Sequence, residues 1–314
     1  MKSADRVKKI AVIGAGVMGH SIAQVFAGAG IETHLVDLDR ERLQHAIDLT
    51  KAELETLSEC GKVDQAEIAQ IVNRIHLTTD IATAAGGADF VLEAVSEIPD
   101  VKKKIFAQLE KHCPPEAILA SNTSTLDIFN IVDIGDPRRF LVAHWFAPPN
   151  IIPLVEIAPG PETAPEAVDF TSNLMKRAGK KTVVMKQFIP SLIVNRIQGA
   201  ISAAVFEILQ NDWATPEQID AAVKSSLGIR LPVVGVVQSL DFTGLDLVVD
   251  ITKSHGGTNP FIEKKVEQGF LGAKTSKGIY DYGNRSENEI IHKRDMRYLH
   301  NLDHLLKIDA FEPI

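Results

Sequence analysis

One short stretch narrows the possible folds more than any other: a glycine turn set between an apolar strand and a helix of small residues. Residues 14–19 read GAGVMG, so Gly14, Gly16 and Gly19 satisfy G-x-G-x-x-G. Lys8 to Ile13 (KKIAVI), just before it, is a β-branched apolar run of the kind buried in parallel sheets. Ser21 to Ala29 follows as a helix ending at Gly30, and Ile31 to Val36 (IETHLV) is the next strand, closed by Asp37. In such a β-α-β unit each glycine has a steric task. The first permits the tight turn, the second lets the backbone approach a pyrophosphate, and the third allows close packing of helix on strand. Free N–H groups at the helix start receive the anion. Val17 and Met18 complete the loop, and Asp37 sits where its carboxylate can accept both ribose hydroxyls and repel a 2′-phosphate. NAD rather than NADP is the expected cofactor. A glycine-rich turn without a ligand is the competing reading of the same spacing.

The rest of the chain repeats the alternation. Strands are expected at Arg74–Leu77, Phe90–Ala94, Ala117–Ser121, Phe140–Trp145, Pro153–Ile157 and Thr182–Met185, with helices between most of them, including Asp39 to about Cys60, Gln65–Val72 and Val101–Lys111. This predicts an α/β class, a doubly wound and mostly parallel Rossmann sheet. After Gln187 strand signals nearly vanish. Ser191–Asn211, Pro216–Ser226, Gly244–Lys253 and Asn259–Gly269 read as helices, with Thr215 and Pro216 as a good helix start. The expected division is an NAD-binding domain over residues 1–187 and an all-helical substrate and dimerisation domain over 188–314.

Charge and cysteine content exclude other classes. The net charge is −8 and no run of Lys and Arg forms a basic stripe, so nucleic acid and anionic membrane surfaces are not expected partners. The two cysteines, Cys60 and Cys113, sit in unrelated contexts, and the start of the chain, Met1 to Lys9, has no apolar signal core. A cytoplasmic protein is expected. No HExxH or paired-ligand spacing occurs among the ten histidines, so no metal is expected.

His144, in VAHWFAPP, ends a strand at the edge where ligands bind in such sheets, and Glu156, in PLVEI, is an acid inside an apolar strand. On spacing alone the two read equally as a working pair or as a satisfied half-buried histidine beside an unrelated glutamate. Over nearly its whole length, however, the chain resembles the L-3-hydroxyacyl-CoA dehydrogenase family. The resemblance is carried by KIAVIGAGVMGHSIAQVFAGAG, VLEAVSE, ASNTSTL, AHWFAPPNIIPLVEI, IVNRI and KTSKGIYDY. It implies an NAD-dependent oxidoreductase of CH–OH groups in fatty acid metabolism, with His144 as general base and Glu156 orienting its ring and stabilising the protonated form. It also implies that Ser121 and Asn195 hydrogen-bond the reacting oxygen or the ring of the base. Glu97 and Lys102 then meet the nicotinamide-side ribose, and Lys274 lies near the cofactor. Alternatives stay open: Ser121 as a helix cap, Asn195 as a helix-surface amide, Lys102 as a solvated member of the Lys102–Lys104 run.

Several segments depart from the acyl-CoA enzymes. Their His-Phe-Phe-Asn-Pro is His144-Trp145-Phe146-Ala147-Pro148 here, and their Pro-Gly-Phe before the asparagine is Pro190-Ser191-Leu192. The helix after Asp39 offers Lys51 but also Glu41, Glu53 and Glu55, a poor surface for a polyphosphate. Pro148–Glu156 and Leu227–Arg230 are similar to relatives acting on free hydroxy acids or polyols, such as gulonate and carnitine dehydrogenases, and to one acting on a pyridine carboxylate aldehyde. Arg230 is then a candidate partner for a substrate carboxylate, or else an exposed arginine. The expected substrate is a 3-hydroxyacyl-CoA, with a free hydroxy acid as the alternative. A third reading is a non-catalytic NAD-binding protein, as in the family's lens crystallins. A homodimer is expected from the apolar Ile193–Leu209 stretch, and the extension after Tyr282 reads as an amphipathic helix packing on a partner or on its own subunit.

Overall fold

The run before the glycine turn forms β1 (Lys9–Ile13), a central strand of an eight-stranded sheet, in the computed structural model, which describes residues 3–312. By internal contacts the chain divides into two units, Met1–Ala200 and Ile201–Ile314. In the first, α1 (Gly19–Gly28) is followed by β2 (Glu32–Val36), α2 (Arg40–Glu59), α3 (Ile68–Asn73), β3 (Ile75–Thr78), α4 (Ile81–Ala85) and β4 (Phe90–Glu93). Next come α5 (Pro99–His112), β5 (Ile118–Ser121), α6 (Ile128–Ile131), β6 (Phe140–Trp145), β7 (Leu154–Pro159), α7 (Pro165–Arg177), β8 (Lys181–Val184) and the start of α8 (Val194–Gln210). The order across the sheet is β3-β2-β1-β4-β5-β6-β7-β8, parallel at every pairing except β6 with β7. The doubly wound, mostly parallel Rossmann sheet expected from the sequence is the fold observed.

Both faces of β1 are covered, which is why its sequence is apolar without alternation. Ile10 and Val12 join one core cluster with Ile22 and Phe26 of α1, while Ala11 and Ile13 join a second with Phe106 and Phe140. Burying each large side chain there contributes about 1.5–3 kcal/mol. Helix starts differ in a telling way. The Asp39 carboxylate accepts the Glu41 N–H at α2, whereas Met18, in the cap position before α1, makes no side-chain cap.

The second unit contains α9 (Pro216–Ser225), α10 (Leu227–Thr243), α11 (Leu245–Ser254), α12 (Pro260–Glu267) and α13 (Glu287–Lys307). Thr215 and Gln218 make a reciprocal capping box at α9 with Pro216 in the first turn, as its sequence predicts. Helix α10 was not expected, because Pro232 and Gly235 interrupt its pattern; the helix continues on both sides of a kink at Gly235 (φ 69°). Buried Asp241 then organises the KTSKGIYDY loop, accepting the Ile279 and Tyr280 N–H groups at 2.8 and 2.9 Å and the Tyr282 hydroxyl at 3.0 Å. A Cβ at Gly278 would fall 2.2 Å from Asp241 Oδ1, so glycine is required there. The extension after Tyr282 is α13, which packs on α10 of its own unit: Asn301 donates to the Ile229 carbonyl at 3.0 Å and Arg294 lies over Phe242. No single helix among the described residues is long and apolar enough to cross a membrane.

Candidate active site

Because β1, β2, β4, β5 and β6 run parallel, their carboxyl ends meet along one edge, and the sequence-predicted residues of the first unit gather there. Gly14 takes φ 106°, and a Cβ on it would lie 2.6 Å from the Ala94 carbonyl oxygen. One on Gly19 would lie 1.7 Å from the Gly14 oxygen. Gly16 differs: a Cβ there would meet no protein atom within 4 Å. Packing therefore demands the outer two glycines, while the middle one opens onto space. That space is a cleft of about 460 Å³ lined by Gly14, Gly16, Val17, Met18 and Asp37, with Val95 and Ile105 among the residues across it. Asp37 Oδ2 accepts the Ala15 N–H at 3.0 Å, which locks the carboxylate beside the loop. An uncapped helix start, a glycine facing open space and a fixed acid at the end of β2 together fit a dinucleotide with free ribose hydroxyls.

Sequence reasoning missed His20, which is buried just behind the turn. Its Nδ1 lies 2.8 Å from the Gly16 carbonyl oxygen and its Nε2 lies 3.2 Å from Glu53 Oε1, tying the loop to α2. Burial opposes its protonation, but the Glu53 carboxylate and the Gly16 carbonyl outweigh that and raise its pKa.

At the ends of β4 and β5 a buried polar network forms. Glu93, fully buried, accepts from the Ser121 hydroxyl at 2.6 Å and from Lys102 at 2.7 Å. Lys102 is only 1% exposed, so it is no part of a solvated lysine run, and its ammonium also reaches Glu97 at 3.1 Å. Glu97 accepts from the Thr123 hydroxyl at 2.6 Å and from the Ser124 and Thr125 N–H groups. Burial pushes the Glu97 carboxyl up, but these donors and the Lys102 charge bring it down to about 2. Ser121 has its hydrogen committed to Glu93 and accepts the Thr123 N–H at 3.2 Å, a local turn rather than a helix cap. Glu93 was also missed, although an acid closing the apolar strand FVLE was a readable signal.

His144 and Glu156 are register partners on the antiparallel β6–β7 pair, which explains their spacing in the chain. His144 Nδ1 lies 3.0 Å from Glu156 Oε2, and both residues are buried. A carboxylate only accepts, so Nδ1 carries the hydrogen and Nε2 keeps a lone pair able to take a proton. The other oxygen, Oε1, accepts the Ile193 and Val194 N–H groups at 3.1 and 3.0 Å, at the start of α8. Ser191 and Leu192 reach this point in left-handed backbone (φ 67° and 52°), where Leu192 is fully buried. Trp145 turns to the opposite face, and its backbone N–H donates to Asn122 Oδ1 at 2.8 Å. Beneath it Lys180 donates to the carbonyls of Pro149 and Ile152 and pins the loop that follows Phe146. Burial lowers the Lys180 pKa to about 8.

Asn195, in the first turn of α8, is half-buried, and its amide has no hydrogen-bond partner among the described residues. In the second unit, Lys274 pairs with Asp246 at 2.5 Å, and Arg230 folds back on its own helix, 3.1 Å from Ser226 Oγ.

Comparison with known proteins agrees with this geometry. A family model described as 3-hydroxyacyl-CoA dehydrogenase, NAD binding domain, matches residues 9–188, and one described as 3-hydroxyacyl-CoA dehydrogenase, C-terminal domain, matches residues 192–282. The chain is 35% identical over 295 residues to 3-hydroxyadipyl-CoA dehydrogenase of Escherichia coli (strain K12), covering 91% of this chain and 61% of that one. It is 34% identical over 286 residues to the probable 3-hydroxybutyryl-CoA dehydrogenase of Bacillus subtilis (strain 168), covering 88% and 98%. Among solved structures, 3-hydroxyacyl-CoA dehydrogenase of Archaeoglobus fulgidus superposes with a TM-score of 0.77 at 28% identity, covering 97% of this chain and all of that one. NAD is thus the cofactor, and the chemistry is oxidoreduction at a CH–OH group. Through both its NAD-binding and its C-terminal portions, the chain belongs to the 3-hydroxyacyl-CoA dehydrogenase family.

Proposed function

We propose that the protein oxidises the hydroxyl-bearing carbon of an L-3-hydroxyacyl-CoA. The observation that carries this reading is the buried His144–Glu156 pair, on the same sheet edge as the glycine cleft. NAD, when bound, supplies the hydride acceptor. His144 Nε2 takes the hydroxyl proton, and Glu156, already charged against Nδ1–H, balances the imidazolium that results. The substrate's one hydroxyl hydrogen faces His144, so Ser121 holds the reacting oxygen by turning its own hydroxyl hydrogen from Glu93 towards it. Asn195, with an unspent amide, donates to the oxygen as it becomes a carbonyl. Gly14, Gly16, Val17, Met18, Gly19 and Asp37 hold the cofactor, and Glu97 and Lys102 shape its nicotinamide end. We assign Lys274 to the same cofactor and Arg230 to a substrate carboxylate. The functional division we propose remains residues 1–187 and 188–314.

Turnover of short-chain hydroxyacyl-CoAs, together with calorimetric titration of CoA into the NAD complex, tests the substrate. A second reading, a free hydroxy acid as in the gulonate and carnitine dehydrogenases, is favoured by Ala147 and by the acidic α2. Turnover of such an acid with no CoA binding would establish it and sink the thioester. A non-catalytic role predicts no turnover of either class. We also propose a homodimer, supported by the exposed apolar residues Ile197, Ile201, Phe206 and Leu209 on α8, and a reducing cytoplasm, supported by the unpaired Cys60 and Cys113. Sedimentation at micromolar concentration checks the former.

A further inference from the structure

Away from the carboxyl edge, towards the amino ends of β2 and β3, three metal-ligating side chains converge. Glu32 and His34 are two apart on β2 and so share a face of the sheet. His76, on the edge strand β3, is the register partner of His34. Their ligand atoms all lie within 4.8 Å of one another, the one such group among the described residues. Glu32 Oε1 is 2.8 Å from His34 Nε2, and the two imidazole centroids are 5.0 Å apart.

The short α4 explains why polar rings stand here. It packs Ile81, Ala84 and Ala85 against Val36 at the far end of β2 and leaves Glu32 and His76 exposed, with His34 half-buried. A cavity of about 850 Å³ adjoins Glu32 and His76 and admits solvent. Two imidazoles and one carboxylate form a donor set for borderline cations, whereas Mg²⁺ and Ca²⁺ want oxygen ligands throughout. The surroundings sharpen that choice. Arg6, Lys8 and Arg74 line the same cavity, and Lys9 stands nearby, its ammonium held by the Thr83 and Gly86 carbonyls. Arg177 also lines the cavity and Asp5 offsets part of this positive charge, and the balance favours a metal that bonds imidazole strongly. Around an ion bound at about 2.0–2.1 Å, tetrahedral donors stand roughly 3.3 Å apart, so the Glu32–His34 pair, now at 2.8 Å, opens slightly while a torsion of exposed His76 sets the third donor.

We infer that Glu32, His34 and His76 form a site for one Zn²⁺ or Cu²⁺ ion, with water completing the shell, that clamps edge strand β3 to β2. The test uses the full chain freed of metal by a chelator. Equilibrium dialysis with Zn²⁺ is expected to give one tight equivalent per chain, weakened at least about tenfold in His34→Ala and His76→Ala. With Cu²⁺, electron paramagnetic resonance is expected to show two coupled nitrogens in the parent and one in either variant. His76 is exposed, so His76→Ala should keep the parent's melting temperature and NAD affinity, which separates loss of the site from loss of the fold. The absence of a tight equivalent in the parent would overturn the proposal, as would a His76→Ala chain with parental affinity and two coupled nitrogens.

Discussion

Replacing Glu156 by glutamine tests the proposed base most directly. The carboxylate receives three donors: His144 Nδ1–H on Oε2, and the Ile193 and Val194 N–H groups on Oε1. Glutamine has one acceptor oxygen and must choose. Turned towards His144, it leaves two part-buried backbone N–H groups facing an NH₂, at a cost of at most about 1–3 kcal/mol each. Turned towards the backbone, it keeps both bonds and presents NH₂ to Nδ1. The second orientation wins by at most about 2–6 kcal/mol, and it forces the imidazole into the opposite tautomer. Nε2 then carries a hydrogen and cannot accept the substrate proton. A comparable tautomer error in Ser-His-Asp triads costs about 10⁴ in kcat, so a fall of about 10³–10⁴ is expected, roughly 4–5.5 kcal/mol of barrier. Initial rates of NADH formation would read the loss. Nitrogen NMR of the imidazole reads the tautomer without any substrate, and melting temperature and NAD affinity should stay near the parental values. A Glu156→Gln chain that keeps Nδ1–H, or keeps kcat within about tenfold of the parent, would refute the argument.

Two further expectations follow from the same edge. Gly16→Ala should fold with an unchanged melting temperature yet bind NAD weakly in a fluorescence titration, whereas Gly19→Ala, whose Cβ would meet the Gly14 oxygen at 1.7 Å, should lower both; equal destabilisation by the two would contradict the assignment of the open space to the cofactor. For Glu97, a folded pKa of about 2 against an ordinary 4.5 means its stabilising contribution is complete above about 4.5 and is lost as pH falls towards 2. Acid unfolding of Glu97→Gln should therefore be shallower over that range, by an amount limited by solvent screening of the partly exposed carboxylate.

Much of this was legible in the sequence, for reasons that differ by residue. The β-α-β start could be read because strand, glycines, helix and Asp37 each constrain the same few residues. His144 and Glu156 stood out as polar groups in apolar strands, and their antiparallel register accounts for the separation. Lys102 was singled out only by the family resemblance, because it sits in a run of identical residues; its buried contact with Glu93 is what separates it from Lys103 and Lys104 in the fold. Neither could His20 be recognised, since its partner Glu53 is one of many acids on a charged helix. The His34–His76 pairing arises from strand order, which no local spacing encodes. Helix α10 was hidden because Pro232 and Gly235 break the very periodicity by which helices are found.

The shared carboxylate of Glu156 also orders events during synthesis. The lining of the glycine cleft ends at Ile105, but the imidazole sits on β6 and its support, the Glu156 carboxylate with its two backbone donors, comes from β7 and residues 193–194. In chain order, the cleft residues proposed to hold the nucleotide therefore precede those that complete the proposed base. Reactivity is the last property the growing first unit acquires, conferred when the left-handed step at Ser191 and Leu192 delivers two amide hydrogens to one oxygen.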